Sequence, residues 1–412
     1  MSPALKFLLA ARRSEILSLE QLAVTCDLVA RCARLIHALQ RERGVAGVYL
    51  VSQGERFESR HEACVEDSAA EEQATREVFD LLETESGQAS GRARLFNRMA
   101  TVLHGLESLP DLRDRTVSLN ASSEEVAETY SRLISGLLAV VFEAADSAGD
   151  PGISRALVAL FNFMQGKELA AQERGISAAG FAMGHFDADR QDRLVHLIEA
   201  QQRCFDTFAN FSDPAMLALW DEALPVAEQT RFERLRRVAV SNAQHRPSAD
   251  EESWFELATR RIDAMKHIES RMTAELLRLS VRKTKDAHAD LEDHEALLAT
   301  SRNASGGVLL TGTSFETEAM NPYLGRSILD LVREQSTRLQ EMSSELARVQ
   351  TALSERKLIE RAKGMLMEHR GMTEDQAYRM LRQTAMDRGK RLAEVAETVI
   401  GLADFLSGGN EK

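Results

Sequence analysis

The chain has 412 residues, 44% apolar but only 5% aromatic, and a formal net charge of -13. That length supports two or three domains with real cores, and the usage, poor in proline and rich in Ala, Leu, Glu and Arg, suits long packed helices and starves a sheet of its β-branched and aromatic surface. The negative balance excludes general charge-driven adhesion to nucleic acid or to anionic membrane, but not a local basic patch.

The opening stretch, MSPALKFLLAARRSE, lacks a long apolar run followed by a small-residue cleavage site. No segment approaches the roughly 18 uncharged apolar residues of a membrane-spanning helix, so a cytoplasmic protein with no membrane partner is expected. Cys26, Cys32, Cys64 and Cys204 fall at uneven spacings without a C-x-x-C pair, which signals buried thiols rather than zinc or a disulfide framework.

From about 19 to 298 the pattern is helical almost throughout, interrupted at SGQASG (86–91), SLNASS (118–123), SAGDPG (147–152) and SNAQHRPSADE (241–251). This punctuation predicts an all-α fold of about eight long helices, divided into two four-helix bundles over residues 1–300. SRNASGGVLLTGTSFETEAMNP (301–322) has no helical period, so residues 301–325 read as a linker.

Beyond it, Ile328, Val332, Gln335, Leu339, Met342, Leu346, Val349 and Leu353 advance by alternating fours and threes, the seam of a coiled-coil helix over 326–354. Self-association into a homodimer is expected, the alternative being a connector helix packed on its own bundle. The pattern continues into ERKLIERAKGMLMEHR (355–370), which Gly371 ends as a left-handed cap. Thr373 with Gln376 reads as a capping box, Gly389 closes the next helix, and LAEVAETVIGLADFL (392–406) supplies a third, giving a compact three-helix module over 355–412.

Two segments share a motif: QRERG at 40–44 and KELAAQERG at 167–175. In the first, the apolar stripe Cys32, Leu35, Ile36, Leu39, Ala46 and Leu50 leaves one slot, filled by Arg43, while Arg41 faces away. In the second, the stripe Leu160, Phe163, Met164, Ala171, Ala178 and Phe181 is completed by Lys167 and Arg174. In FERLRRVAV (232–240), Phe232, Leu235 and Ala239 direct Arg236 inward, with Arg234 pointing away and Arg237 the neighbouring choice of register. Each inward guanidinium requires either an internal carboxylate or an external anion, and its planar fork suits a small planar oxyanion. Gly44 and Gly175 suggest close approach of another backbone or of a ligand beside each charge.

Residues 356–391 carry ten bases against five acids, a local basic patch on an acidic chain. Tyr378, Arg382 and Ala385 recur on one side of the second helix, presenting a ring and a guanidinium plane that can stack on unpaired bases. Three-helix units also read DNA, and composition alone does not separate the two. There is no Walker loop, no H-E-x-x-H and no nucleophile elbow, so neither enzymatic activity nor a cofactor is expected. His61 and Cys64 in HEAC would make only half a metal site.

The first three hundred residues, through QRERG, KELAAQERG and LRRVA (235–239), resemble the nitrate- and nitrite-sensing NIT domain. I-x-R-A-K-G-M-L-M (359–367) followed by EDQAYRMLRQTAM (374–386) resembles the ANTAR module of transcription antiterminators. The resemblance implies nitrate or nitrite bound between two bundles by Arg43, Arg174 and Arg236. It also implies RNA as the partner, a pair of leader-mRNA hairpins, matched at Ala362, Lys363, Gly364, Tyr378, Arg382, Ala385 and Met386. Lys363 and Arg382 are the chosen RNA-binding residues, with Tyr378 and Arg379 secondary. The implied function is anion-responsive antitermination; the alternative is a ligand-sensing helical regulator whose module binds DNA or a protein.

Overall fold

Asp150, Asp187 and Asp213 each precede a helix and accept a hydrogen bond from a backbone N–H three residues on, at 2.9, 2.7 and 2.8 Å, so short polar residues set the helix starts as capping chemistry requires. The structure is a computed structural model that describes residues 3–84, 93–241, 248–305, 322–372 and 374–407. These residues form α1 (Pro3–Val51), α2 (Glu58–Thr84), α3 (Ala93–Leu106), α4 (Leu109–Val117), α5 (Ser123–Asp146), α6 (Pro151–Met183) and α7 (Ala188–Phe211), then α8 (Pro214–Asp221), α9 (Val226–Val240), α10 (Ser248–Ser305), α11 (Pro322–Arg370), α12 (Glu374–Arg388) and α13 (Leu392–Ser407). Among the described residues there is no strand, so the all-α expectation holds.

The helices form two compact units, Met1–Leu157 with Glu269–Leu346, and Val158–Ile268 with Ala347–Lys412. The long helices α6, α10 and α11 each lend residues to both. In the first unit α1 packs against α2 and α5, and α3 against α5. The predicted stripe of α1 is its contact face: Cys32, Leu35, Ile36, Leu39, Ala46 and Leu50 are all buried. In the second unit Phe181, Leu194, Phe232, Leu235 and Leu257 enclose Trp254. That ring stacks on Phe232 at 4.9 Å, and truncating it would cost about 3–5 kcal/mol.

The C-terminal end of α11, α12 and α13 share a core of Ala362, Leu366, Ala377, Leu381, Ala385, Val395, Ala396 and Ile400, so Ala362 and Ala385 serve packing. Gly371 and Gly389 adopt φ of +62° and +59°, so the left-handed cap read from the sequence at Gly371 is repeated at Gly389, where the sequence reading ended the next helix. Along the seam of α11, Val349 and Leu353 are buried and Met342 and Leu346 half-buried. The side chains of Ile328, Val332, Gln335 and Leu339, together with Thr373 of the capping box, lie outside the described residues. So do the turn at 86–91, residues 242–247 and residues 306–321 of the linker reading.

Five breaks escaped the sequence reading, two of them at 52–57 and 107–108. The others fall at 184–187, where Gly184 has φ +72°, at 212–213, and at 222–225. Helix α1 also begins well before residue 19.

Candidate functional site

The first copy of the motif lies on α1, which directs Glu42 and Arg43 inward at 0% and 8% exposure, while Arg41 stays exposed and pairs with Asp67. The two inward residues do different work. Arg113 of α4 grips Glu42 with two hydrogen bonds, Nε to Oε1 at 2.8 Å and Nη2 to Oε2 at 3.0 Å. The Tyr130 hydroxyl donates to Glu42 Oε1 at 2.6 Å, and the Ser68 hydroxyl donates to Oε2. Burial opposes the Arg113 charge, but the hydrogen bonds and negative charge of Glu42 more than offset it and hold the guanidinium pKa above its usual value. Burial and the Glu42 charge raise the Tyr130 pKa, so the phenol stays protonated and donates. Arg43 is directed elsewhere: its Nη1 donates to Ser131 Oγ at 2.7 Å, and the Ser131 hydroxyl donates a hydrogen bond to the Ala127 carbonyl at 2.6 Å.

The second unit repeats this pattern. On α6, Glu173 and Arg174 are 1% and 5% exposed. Arg236 of α9 grips Glu173, Nε to Oε1 at 2.7 Å and Nη2 to Oε2 at 2.8 Å, and Gln201 Nε2 donates to Oε2 at 2.7 Å. Arg174 again turns to a hydroxyl, with Nη1 3.1 Å from Thr259 Oγ1, and its guanidinium lies 5.0 Å from the Phe255 ring centroid. The Trp254 indole donates to the Arg174 carbonyl at 3.2 Å and ties the motif to the aromatic core.

Thus each Q-x-E-R-G or Q-E-R-G writes an anchor and a presenter on adjacent residues. The glutamate takes an arginine from another helix, and the arginine meets a hydroxyl. Arg236 differs from Arg43 and Arg174 in its partners. The helical register is right, since Arg236 is half-buried and Arg234 and Arg237 are exposed. However, its fork faces Glu173 and its Nη1 donates to Glu233 at 2.9 Å, so internal carboxylates meet this guanidinium in the structure.

The glycine reading also changes. A Cβ at Gly175 would meet no protein atom within 4 Å, so close approach of another backbone does not explain it, whereas one at Gly166 would strike Phe205 at 2.7 Å.

In the C-terminal module the four chosen residues divide. Lys363 on α11 is buried and its Nζ is held by both Glu360 oxygens at 2.9 Å, so it is a poor phosphate contact in this arrangement. Arg379, Tyr378 and Arg382 of α12 all meet α7. Arg379 Nη1 donates to Asp192 Oδ2 at 3.1 Å, and Arg382 donates to Glu199 Oε2. Tyr378 is 8% exposed, 4.8 Å from the His196 ring, with the Arg203 guanidinium 4.8 Å from its centroid. Burial raises the Tyr378 pKa while Arg203 and Arg382 oppose the rise. Asp192, His196, Glu199 and Arg203 advance by four, three and four, one face of α7, so this helix offers two carboxylates and an aromatic ring to the groups expected to meet phosphates and bases.

A helical body that buries paired guanidinium groups, followed by a basic three-helix module, is the architecture of a regulator with a sensing body and a binding module. Among the described residues no cluster of His, Cys, Asp and Glu could hold a metal ion, and no helix is long and apolar enough to cross a membrane. The chain belongs to the nitrate- and nitrite-sensing (NIT) family: residues 34–277 match the family described as nitrate and nitrite sensing, and residues 347–400 match the ANTAR domain. It is 36% identical over 394 residues to the nitrate regulatory protein of Klebsiella oxytoca, covering 95% of this chain and 93% of that one. A transcriptional regulatory protein of Mycobacterium tuberculosis, PdtaR, is 42% identical over 59 residues, 14% of this chain and 29% of its own. Among solved structures, the NasR transcription antiterminator aligns with TM-score 0.61 and 33% identity, over 98% of this chain and 100% of that chain.

Proposed function

We propose that this protein is a nitrate- or nitrite-responsive transcription antitermination regulator. The anion binds in the helical body of residues 1–300, and the module of residues 355–412 then holds paired hairpins in a leader mRNA. Segment 301–325 links the two, the helix over 326–354 joins two copies as a coiled coil, and the protein works in the cytoplasm without catalysis or a bound cofactor. Arg43 and Arg174 are the anion-binding groups. Arg236, with Arg113 as its counterpart, positions the glutamate beside each of them.

One observation carries the gating: α7 engages Arg379, Tyr378 and Arg382 together. A phosphate oxygen and a carboxylate oxygen make the same charge-assisted bond to a guanidinium, so RNA and α7 compete for one face of α12. The Arg382 and Glu199 side chains are 42% and 33% exposed, and pairs of that kind contribute about 0.2–1 kcal/mol each. The ion pairs therefore add little to docking, and an anion can reverse it only by binding the undocked form better, since equal affinity shifts nothing.

The test is hairpin-RNA binding by the full chain with and without nitrate, beside Asp192→Asn/Glu199→Gln. Nitrate should tighten binding to the wild type, and the double variant should bind several-fold tighter without nitrate. RNA affinity that ignores both nitrate and the α7 changes would sink the gating. Duplex DNA bound as tightly as RNA would overturn the choice of partner.

A further inference from the structure

The Glu173 cluster contains a second guanidinium that the repeated motif does not require. Arg261 lies on α10 in the stripe of Trp254, Leu257, Ala258, Ile262 and Met265, all five buried, and is itself half-buried. Its Nη1 donates to the Gln201 carbonyl oxygen at 3.1 Å, and its guanidinium lies 4.9 Å from the Phe232 ring centroid. Among the described residues no carboxylate reaches ion-pair distance of it, and Gln201 is its one hydrogen-bond acceptor.

The neighbouring acids are already committed. Both Glu173 oxygens accept from Arg236, and Gln201 Nε2 adds a third bond. Glu233, whose side chain is 42% exposed, bonds Arg236 as well. The Gln201 carbonyl is divided between the two cations, 3.3 Å from Arg236 Nη2 and 3.1 Å from Arg261 Nη1. The shielded part of the cluster is thus one carboxylate, one amide and two guanidinium groups. Burial and the Arg236 charge push the Arg261 pKa down to about 10, which still leaves it cationic at neutral pH. A charge that is kept at neutral pH beside a second guanidinium, with most of its five N–H donors unused by the protein and its side chain only half-buried, is open to a small anion from solvent.

We propose that Arg261, with Gln201 and Phe232, forms a second position for a small monovalent anion, built from residues other than Arg43 and Arg174. Nitrate and chloride share the required chemistry. The inference rests on the nitrate-sensing reading only for the choice of nitrate as one probe.

The experiment follows the full chain by thermal melting and calorimetry with sodium nitrate and, separately, sodium chloride, at ionic strength balanced with fluoride. A ligand that binds only the folded state raises the melting midpoint with concentration. The expected result is that chloride stabilises the wild type, that Arg261→Gln loses this response and binds nitrate at least tenfold more weakly at one of two events, and that Arg174→Ala keeps it. Arg261→Lys, which retains the charge without the fork, should retain the chloride response. A wild type indifferent to chloride, or an Arg261→Gln chain that answers both anions as the wild type does, would overturn the proposal. Should Arg261→Gln not fold, the wild-type and Arg261→Lys chloride responses decide it by the same outcomes. Unchanged nitrate binding in both Arg43→Ala and Arg174→Ala would count against the functional reading alone.

Discussion

The Glu42 and Glu173 clusters begin from the same tripeptide, Glu-Arg-Gly, and complete it differently. Around Glu42 one guanidinium is joined by two hydroxyl groups, Ser68 and Tyr130, and Glu72 stands 3.6 Å from Arg113. Around Glu173 the corresponding guanidinium is joined by an amide, and that amide carries a second cation, Arg261. Neutral hydroxyls satisfy a buried carboxylate without altering the charge balance, whereas an added guanidinium tilts it toward positive. The first cluster is closed and structural. The second has the same anchor and is left receptive to an anion.

The largest effect that tests this contrast comes from deleting the anchors. Glu42→Ala and Glu173→Ala should each lose about 3–5 kcal/mol in chemical denaturation, because a buried guanidinium is left uncompensated. The two should then diverge: added chloride or nitrate recovers part of the loss in Glu173→Ala, where two cations remain, and little in Glu42→Ala. Equal recovery in both would erase the distinction between the clusters.

Next come the presenters. Arg43→Ala and Arg174→Ala should weaken nitrate binding at least tenfold, about 1.4 kcal/mol, while each chain stays folded by circular dichroism. Gross unfolding of both without ligand would make these arginines structural and leave the anchors with no one to serve. Ser131→Ala and Thr259→Val remove only the hydroxyl that steadies each guanidinium. Either substitution should weaken nitrate several-fold by calorimetry, with a stability change of about 0.5–1.5 kcal/mol.

The smallest effect is confined to the first unit. His61 is buried, stacked on Tyr49 at 5.2 Å, and burial lowers its pKa, with Glu42 opposing and Arg113 assisting the shift. A base with a lowered folded-state pKa binds fewer protons folded than unfolded below its usual value, so stability is full above about pH 6.5 and declines as pH falls through that value. Melting curves between pH 7.5 and 5.5 should show this decline, and His61→Phe should flatten it. A decline unchanged in His61→Phe would assign it to other groups.

Helical periodicity alone placed much of this. The stripes on α1 and α6 directed Arg43 and Arg174 inward, and Phe232, Leu235 and Ala239 did so for Arg236. The same rule could have found Arg261, which continues the stripe of Trp254, Leu257 and Ala258, yet no repeated motif drew attention to it. Gly371 was legible as a cap, and Gly389 as a helix end, because a left-handed residue ending a helix is a local requirement. Lys363 read as a phosphate contact because its charge is visible in sequence; its burial beside Glu360 is not.

What the sequence determined by itself is therefore the all-helical fold, the inward aim of the three arginines and the basic three-helix module, each a consequence of residue type and spacing within one or two turns. Which partner each inward charge meets was decided only by tertiary structure. Glu42 and Arg113 are 71 residues apart, Glu173 and Arg236 63, and Glu199 and Arg382 183. A guanidinium can donate to a carboxylate, a hydroxyl or a free anion, so helix packing, by choosing which acceptor stands within about 3 Å, separates an anchor from a binding group.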